Sequence, residues 1–325
     1  MTSKTTKPNV KSTKAKSNNA ELHARFTHAL DELVAEIRED RSILAAILCG
    51  SLSHDSVWKH SDIDLGLVTI DDRKIESGHI ALNADGLNVH AFLMPRAEFR
   101  KMLESSTRNS FTHSLLAKGR LLYTHDESIA GLFEDLRVIG ARDTVVQLFR
   151  AANWLLAPLY KAHKFFITRD DLHYTSLWIL NAATPLAQIE VMSAGQLADR
   201  EVILQAMKIK PEFFRVIYTD LLDNKRTRGN VAAAIGAIDD YLRDRARVLF
   251  APLLEYLRET GEARSATEID AHFKKTFDID MASAACEYLA DLGFIQKVSI
   301  STQLTRRSNI SVQELAFVHV EERKR

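Results

Sequence analysis

The stretch Cys49-Gly50-Ser51-Leu52-Ser53-His54-Asp55-Ser56-Val57-Trp58-Lys59-His60-Ser61-Asp62-Ile63-Asp64-Leu65-Gly66-Leu67-Val68 decides how this 325-residue chain is read. It joins the end of an apolar run, a Gly-Ser turn and two carboxylates spaced i, i+2. The approach, Ser42 to Cys49, is a short apolar run closed by Gly50, the pattern of a buried strand that ends in a turn. Gly50 lets the backbone pass close to a ligand. The second run, Asp62 to Val68, alternates, with Ile63, Leu65 and Leu67 on one face and Asp62, Asp64 and Gly66 on the other. Both carboxylates therefore point the same way. Side by side they repel, which raises one pKa unless a positive charge compensates. A magnesium ion held by one or two carboxylates, its shell completed by substrate phosphates, resolves that conflict. A lone Asp-x-Asp would read as two solvated residues on an edge strand; the Gly-Ser turn upstream favours a phosphate-and-magnesium site.

The segment resembles the signature of the DNA-polymerase-β-like nucleotidyltransferase superfamily: Gly-Ser, a spacer, then Asp-hydrophobic-Asp-hydrophobic. Within it, Lys59 to Leu65 is most similar to the aminoglycoside adenylyltransferases and the minimal nucleotidyltransferases of prokaryotes. The resemblance implies that the Gly-Ser turn opens a helix whose N-terminal amides and serine hydroxyl hold a nucleoside triphosphate, which is sound physics for a helix N-terminus. Gly50 and Ser51 take those positions. It further implies that Asp62 and Asp64 bind the Mg2+ ions that bridge the phosphates during in-line attack at the α-phosphorus. Ser61 is a secondary phosphate contact on the same grounds, and Lys59 is either a phosphate-neutralising group or a solvated loop lysine.

The family's third carboxylate lies on a later strand, and here the chain departs from the pattern. The matching strand is Leu87 to Met94, preceded by the hairpin signal Asp85-Gly86. Asn88 and His90 share one face of it and neither is acidic; the resemblance leaves open which one stands in the acid's place. A neutral imidazole can accept a proton or ligate a metal, so His90 is the candidate general base, with a different metal preference. The alternative is a site that binds nucleotide without turning it over. Asp85 belongs to the turn.

Composition bounds the rest. A chain with 46% hydrophobic residues at this length buries two or three cores. Its 43 basic residues balance 43 acidic ones, which argues against a nucleic-acid backbone as main partner. The two cysteines, Cys49 and Cys286, lack metal-ligand neighbours and fit a reducing cytoplasm. Residues 1–19 hold five lysines and no acid, the composition of a disordered basic tail. No apolar run approaches the length of a signal peptide core or a membrane span.

The expected fold class is α+β: residues 20–130 form a nucleotidyltransferase domain with a small mixed sheet and flanking helices, 131–261 a helical bundle and 262–325 a winged-helix-like domain. Ala20 to about Asp40 reads as an amphipathic helix carrying Leu22, Phe26, Leu30, Leu33, Val34 and Ile37 on one stripe. Pro95 starts another helix, and Gly119 to Thr124 is a final strand. By resemblance, the bundle supplies the acceptor site and further cations, with Lys161, Lys164, Lys225 and Arg228 as candidates and Asp170, Asp171 or Tyr174 as acceptor contacts. Beyond Gly261, Ser265-Ala-Thr-Glu268 is a capping box, Asp280 is placed to cap a second helix, and two strands follow. From 265 to 325 eight Lys and Arg stand against nine Asp and Glu, and the second helix carries no cation at all. Phosphate contacts supply much of DNA affinity, so this charge disfavours DNA as partner, although Arg306 and Arg307 lie in the wing.

The reading is a Mg2+-dependent nucleotidyltransferase that moves a nucleoside monophosphate, AMP from ATP, onto a hydroxyl acceptor and releases pyrophosphate. Two alternatives share the site: a catalytically impaired nucleotide-binding regulator acting through the winged helix, and a toxin or antitoxin type enzyme that modifies a tRNA or a protein.

Overall fold

Two short runs buried along nearly their whole length build the centre of the first sheet. A computed structural model describes residues 10–54, 57–71, 78–104, 115–136, 141–198, 200–305 and 307–320. The chain divides into two compact units, Met1–Val138 and Ile139–Arg325.

In the first unit, Ile43–Cys49 (β1) and Ile63–Thr69 (β2) pair antiparallel, with Cys49 opposite Asp64. His79–Ala84 (β3) and Leu87–Pro95 (β4) form a hairpin, and Arg120–Thr124 (β5) closes the other edge. The five-stranded order is β3-β4-β2-β1-β5, mixed because β2 runs parallel to β4. Asp85 and Gly86 turn the hairpin at positive φ, 48° and 72°, the geometry of a type I′ turn. The Arg25 guanidinium donates to the Asp85 carbonyl at 3.0 Å, tying that turn to the first helix.

That helix, Val10–Glu39 (α1), covers one face of the sheet. Phe26, Ala29, Leu30 and Val34 are buried against Leu48, Ile63, Leu65, Val89 and Ala91, leaving the face of Asp62 and Asp64 away from it. α1 begins at Val10, inside the segment expected to be a disordered tail; residues 1–9 lie outside the described residues. Arg96–Glu104 (α2) and Glu127–Asp135 (α3) follow β4 and β5.

The second unit is led by Ala141–Arg169 (α4) and Leu172–Ser193 (α5), an antiparallel helix pair. Val202–Ile209 (α6), a bent run from 211 to 223 containing a π-turn, Arg228–Leu249 (α7) and Ala251–Thr260 (α8) complete the bundle. The C-terminal part is Arg264–Ser265 (β6), Ala266–Phe277 (α9), Ser283–Asp291 (α10), Ile295–Thr302 (β7) and Val312–His319 (β8), with a sheet ordered β6-β8-β7. The Ser265–Glu268 capping box is present. Asp280 does not cap α10; it pairs with Lys274 at 3.0 Å, while Asp270 accepts from the Ser283 amide at 2.8 Å. A side chain one helix away thus takes the role that spacing assigned to a local one.

A single apolar core runs through the bundle and the C-terminal elements across the boundary expected at 261/262. Phe149 of α4 is fully buried, its ring centroid 6.1 Å from Phe250 and 5.2 Å from Phe273. Arg150 and Asn153 of α4 donate to the carbonyls of Phe277, Asp278 and Asp280, so the turn between α9 and α10 is held by the bundle. Among the described residues no helix is long and apolar enough to cross a membrane.

Two outcomes follow from this packing. Phe149→Ala is expected to cost about 3–5 kcal/mol and to lower hydrogen-exchange protection of α7 and α9 together; loss confined to one of them would contradict a shared core. His163 on α4 donates from Nε2 to Asp239 on α7 at 2.9 Å, and this bond, more than the opposing burial, raises the imidazole pKa. A raised folded pKa stabilises below the unfolded value of about 6.5 and loses that stability as pH rises through the folded value. Asp239→Asn should therefore lower the melting temperature more at pH 6 than at pH 8.5, and a pH-independent difference would refute the assignment.

Candidate active site

The antiparallel register of β1 and β2 brings Gly50 over the first turn of β2. Gly50 has φ +68°, and a Cβ built there would fall on Oδ2 of Asp64 and lie 2.9 Å from its Cγ. Asp64 therefore rests its carboxylate against the bare α-carbon of Gly50. Glycine meets two demands at once, a left-handed backbone and the space a carboxylate occupies. Cys49, next along β1, is a buried thiol whose pKa is pushed up to about 12, first by burial and then by the negative charge of Asp64. It stays protonated at neutral pH and is no nucleophile.

Beyond Gly50 the resemblance implies a helix. The described residues show instead one turn of 3-10 helix, Ser51–His54, in which the Gly50 carbonyl accepts from the Ser53 hydroxyl at 2.7 Å and its amide at 3.2 Å. A single turn lacks the aligned dipoles of a full helix. What it presents is the Ser51 hydroxyl and the local amides. Residues 55 and 56 lie outside the described residues.

The chain re-enters through a turn closed by Ser61, whose hydroxyl accepts from the Trp58 amide at 3.0 Å while its own amide donates to the Trp58 carbonyl at 2.9 Å. Ser61 thus shapes the approach to Asp62, and its hydroxyl proton is the group left to donate. Lys59 is exposed at the tip of this turn. Trp58, 60% exposed, stands edge-on to His60 with ring centroids 4.7 Å apart. This exposed aromatic ring lies four residues before the first aspartate, and the Trp-Lys-His run in the sequence is the signal that marks it.

Asp64 is in register with His90 of β4, and on the other side of β4 His90 is opposite Ala81 and Asn88 opposite Asn83. Nδ1 of His90 lies 3.9 Å from Oδ2 of Asp62, and the imidazole is more exposed than the carboxylate. One sheet face thus gathers Asp62, Asp64 and His90 beside the Gly50-Ser51 turn. No group of three or more His, Cys, Asp and Glu among the described residues is close enough to hold a metal ion on its own, so a cation here would draw its remaining ligands from a phosphate or water. The chemistry of the set fits one: two carboxylates on a common face, with an open front.

Of the second unit's candidates, Lys164 and Lys225 are exposed, and the others make local contacts. Arg228 pairs with Asp170 and lies over the Phe166 ring, Lys161 is 6.0 Å from the Trp178 ring, and the Asp171 carboxylate caps α5 by accepting from the Tyr174 amide at 2.9 Å. Tyr174 packs edge-on to Phe165.

Comparison with known proteins agrees with the first unit. Residues 31–128 match the family described as polymerase beta, nucleotidyltransferase. A nucleotidyltransferase-like protein from Exiguobacterium sibiricum has a similar fold, with TM-score 0.62 at 16% identity, over 90% of this chain and 99% of that one. No curated protein sequence matches significantly.

The contact between Gly50 and Asp64 can be measured as a coupling. Gly50→Ala should cost about 1–2 kcal/mol from the left-handed backbone alone, plus the displacement of the carboxylate. In an Asp64→Ala background only the backbone cost should remain, a difference of order 1 kcal/mol by denaturant unfolding. Equal costs in both backgrounds would mean that the carboxylate does not rest there.

Proposed function

Because residues 31–128 are a nucleotidyltransferase domain of the polymerase-beta-like superfamily, we propose that the chain transfers a nucleoside monophosphate, AMP from ATP, onto a hydroxyl acceptor and releases pyrophosphate. The observation that supports this is the placement of Asp62 and Asp64 on one sheet face beside the Gly50-Ser51 turn, with Asp64 pinned by the missing Cβ. The similarity of Lys59 to Leu65 to adenylyltransferases supports ATP as donor.

Asp62 and Asp64 are the residues that would hold a divalent cation, Mg2+ where carboxylate and phosphate oxygens alone ligate it. Bound there, it would neutralise phosphate charge as the α-phosphorus is attacked. The chain's own groups do the rest. The Ser51 and Ser61 hydroxyls donate to phosphate oxygens, and Lys59 supplies a mobile positive charge at the turn. The acceptor oxygen forms its bond to the α-phosphorus as the bond to the bridging oxygen breaks, its proton passes to His90 as general base, and pyrophosphate leaves with the electron pair.

The sequence of β4 also supports a second reading. Between Leu87 and Pro95 there is no carboxylate, so the strand that normally bears an acid carries Asn88 and His90 on that face instead. A site without that acid binds nucleotide as a sensor and does not turn it over.

Both readings expect metal-dependent stabilisation by nucleotide, lost in Asp62→Asn and in Asp64→Asn with the metal-free melting temperature retained. An unchanged nucleotide-induced shift in both variants would overturn the assignment. Incubation with α-labelled nucleoside triphosphates and cell extract then separates them: labelled product with pyrophosphate release marks the transferase, binding without release the sensor.

A further inference from the structure

We infer that α4 and α5 carry a docking surface for a single-stranded polynucleotide. The inference stands apart from the nucleotidyltransferase reading, because it rests on residues of the second unit alone.

Helical spacing builds the surface. Lys161, Phe165 and Arg169 follow one another at four-residue intervals on α4, and Tyr174 and Trp178 do the same on α5, so each set shares a helix face. Packing of the two helices joins them into one row. The Lys161 ammonium lies 6.0 Å from the Trp178 ring, Trp178 and Tyr174 have centroids 6.2 Å apart, Tyr174 and Phe165 4.5 Å, and the Arg169 guanidinium lies 5.2 Å from the Phe165 ring. Three rings thus stand in line with a cation at either end. Tyr174 at the centre is 41% exposed, Phe165 and Trp178 are half-buried, and both cations are exposed. Rings that served only the core would be covered; this row is open to water.

Charge narrows the occupant. Residues 161–178 and 221–230 hold six Lys and Arg against three Asp, a local excess that the balance over the whole chain conceals. The two segments meet where Arg228 pairs with Asp170 and lies over the Phe166 ring. Another of the three carboxylates, Asp171, is spent on capping α5. Cations alone would fit any polyanion. Rings in line between cations fit a polyanion that also offers flat apolar faces at regular intervals, which is a strand of nucleotides with its bases unpaired. In a duplex the bases stack on one another, and only the phosphates remain for the cations. An anionic lipid surface fits less well, since Asp170 and Asp171 occupy the turn between the helices, the part that such a surface would meet first.

Fluorescence anisotropy of labelled oligouridylate and oligothymidylate, each about twelve nucleotides long, tests this on the full-length protein over a series of salt concentrations. At least one of the two should bind, and a difference between them identifies the preferred sugar. Tyr174→Leu keeps an apolar side chain and removes the ring; it is expected to weaken binding about tenfold, the loss of one stacked base, whereas Tyr174→Phe should retain the wild-type affinity. Lys161→Gln and Arg169→Gln should each lower the slope of log affinity against log salt by about 0.7. A duplex of the same length should bind more weakly and should not distinguish Tyr174→Leu from wild type. Equal affinity of Tyr174→Leu and wild type for the single strands would overturn the inference, as would absence of binding to both. Sedimentation with phosphatidylserine vesicles in the absence of oligonucleotide binding would overturn it in favour of a lipid contact.

Discussion

The contact on which the site depends is the one between a carboxylate and an absent side chain. Asp64 lies against Gly50 because β1 and β2 pair with Cys49 opposite Asp64, and because Gly50 adopts a left-handed backbone that leaves its α-carbon open. Strand pairing alone would bring a carboxylate near any residue ending β1. Only glycine lets it stay there without a steric collision. From this follow the direction of Asp64, the shared face of Asp62, and the position of the Ser51 hydroxyl one residue beyond the turn.

Around that contact, β2 is the strand that organises the first unit. It has β1 antiparallel on one side and β4 parallel on the other, so it joins the turn to the third candidate residue. α1 covers the opposite face with Phe26, Leu30 and Val34, while on the carboxylate face Phe92 and Leu116 pack over Gly66, further along β2. The polar residues are thereby held on a rigid sheet, where geometry is better fixed than on loops. His90 is the chain's departure from the expected chemistry. Its Nδ1 stands 3.9 Å from Oδ2 of Asp62, on the face that both aspartates share.

The second unit teaches a different lesson about modules. A helix, helix, strand, strand order is recognisable from residue 265 onward, yet its first helix and the turn after it are held by Arg150 and Asn153 of α4, and its core is continuous with the bundle through Phe149, Phe250 and Phe273. Tyr288 of α10 packs its ring 5.5 Å from Phe250, and Glu287 pairs with Lys297. The helix that carries no cation in the sequence is thus also one whose side chains are spent on packing within the unit.

Periodicity in the sequence was enough for β1, β2, β4, β5, the stripe of α1, the long helices of the bundle, the capping box at Ser265 and the hairpin turn at Asp85-Gly86. These are decided by neighbours in the chain, through alternation, helical spacing and turn chemistry. The pairing of Gly-Ser with Asp-x-Asp was likewise legible, because the motif spans few residues. Other features were settled only when distant segments met. β3 is exposed along most of its length, and the short alternation of Ile80, Leu82 and Ala84 is a weak signal beside the hairpin turn that follows it. The pairing of Asp64 with His90 depends on the register of β2 with β4, and the cap of α10 comes from Asp270 rather than Asp280. The continuous core across residue 261 depends on which aromatic rings meet. In each case the deciding energy is a contact between residues far apart in sequence, and local pattern carries no record of it; the chain's own order determined what could be a strand, a helix or a ligand, and tertiary packing determined which of them came together.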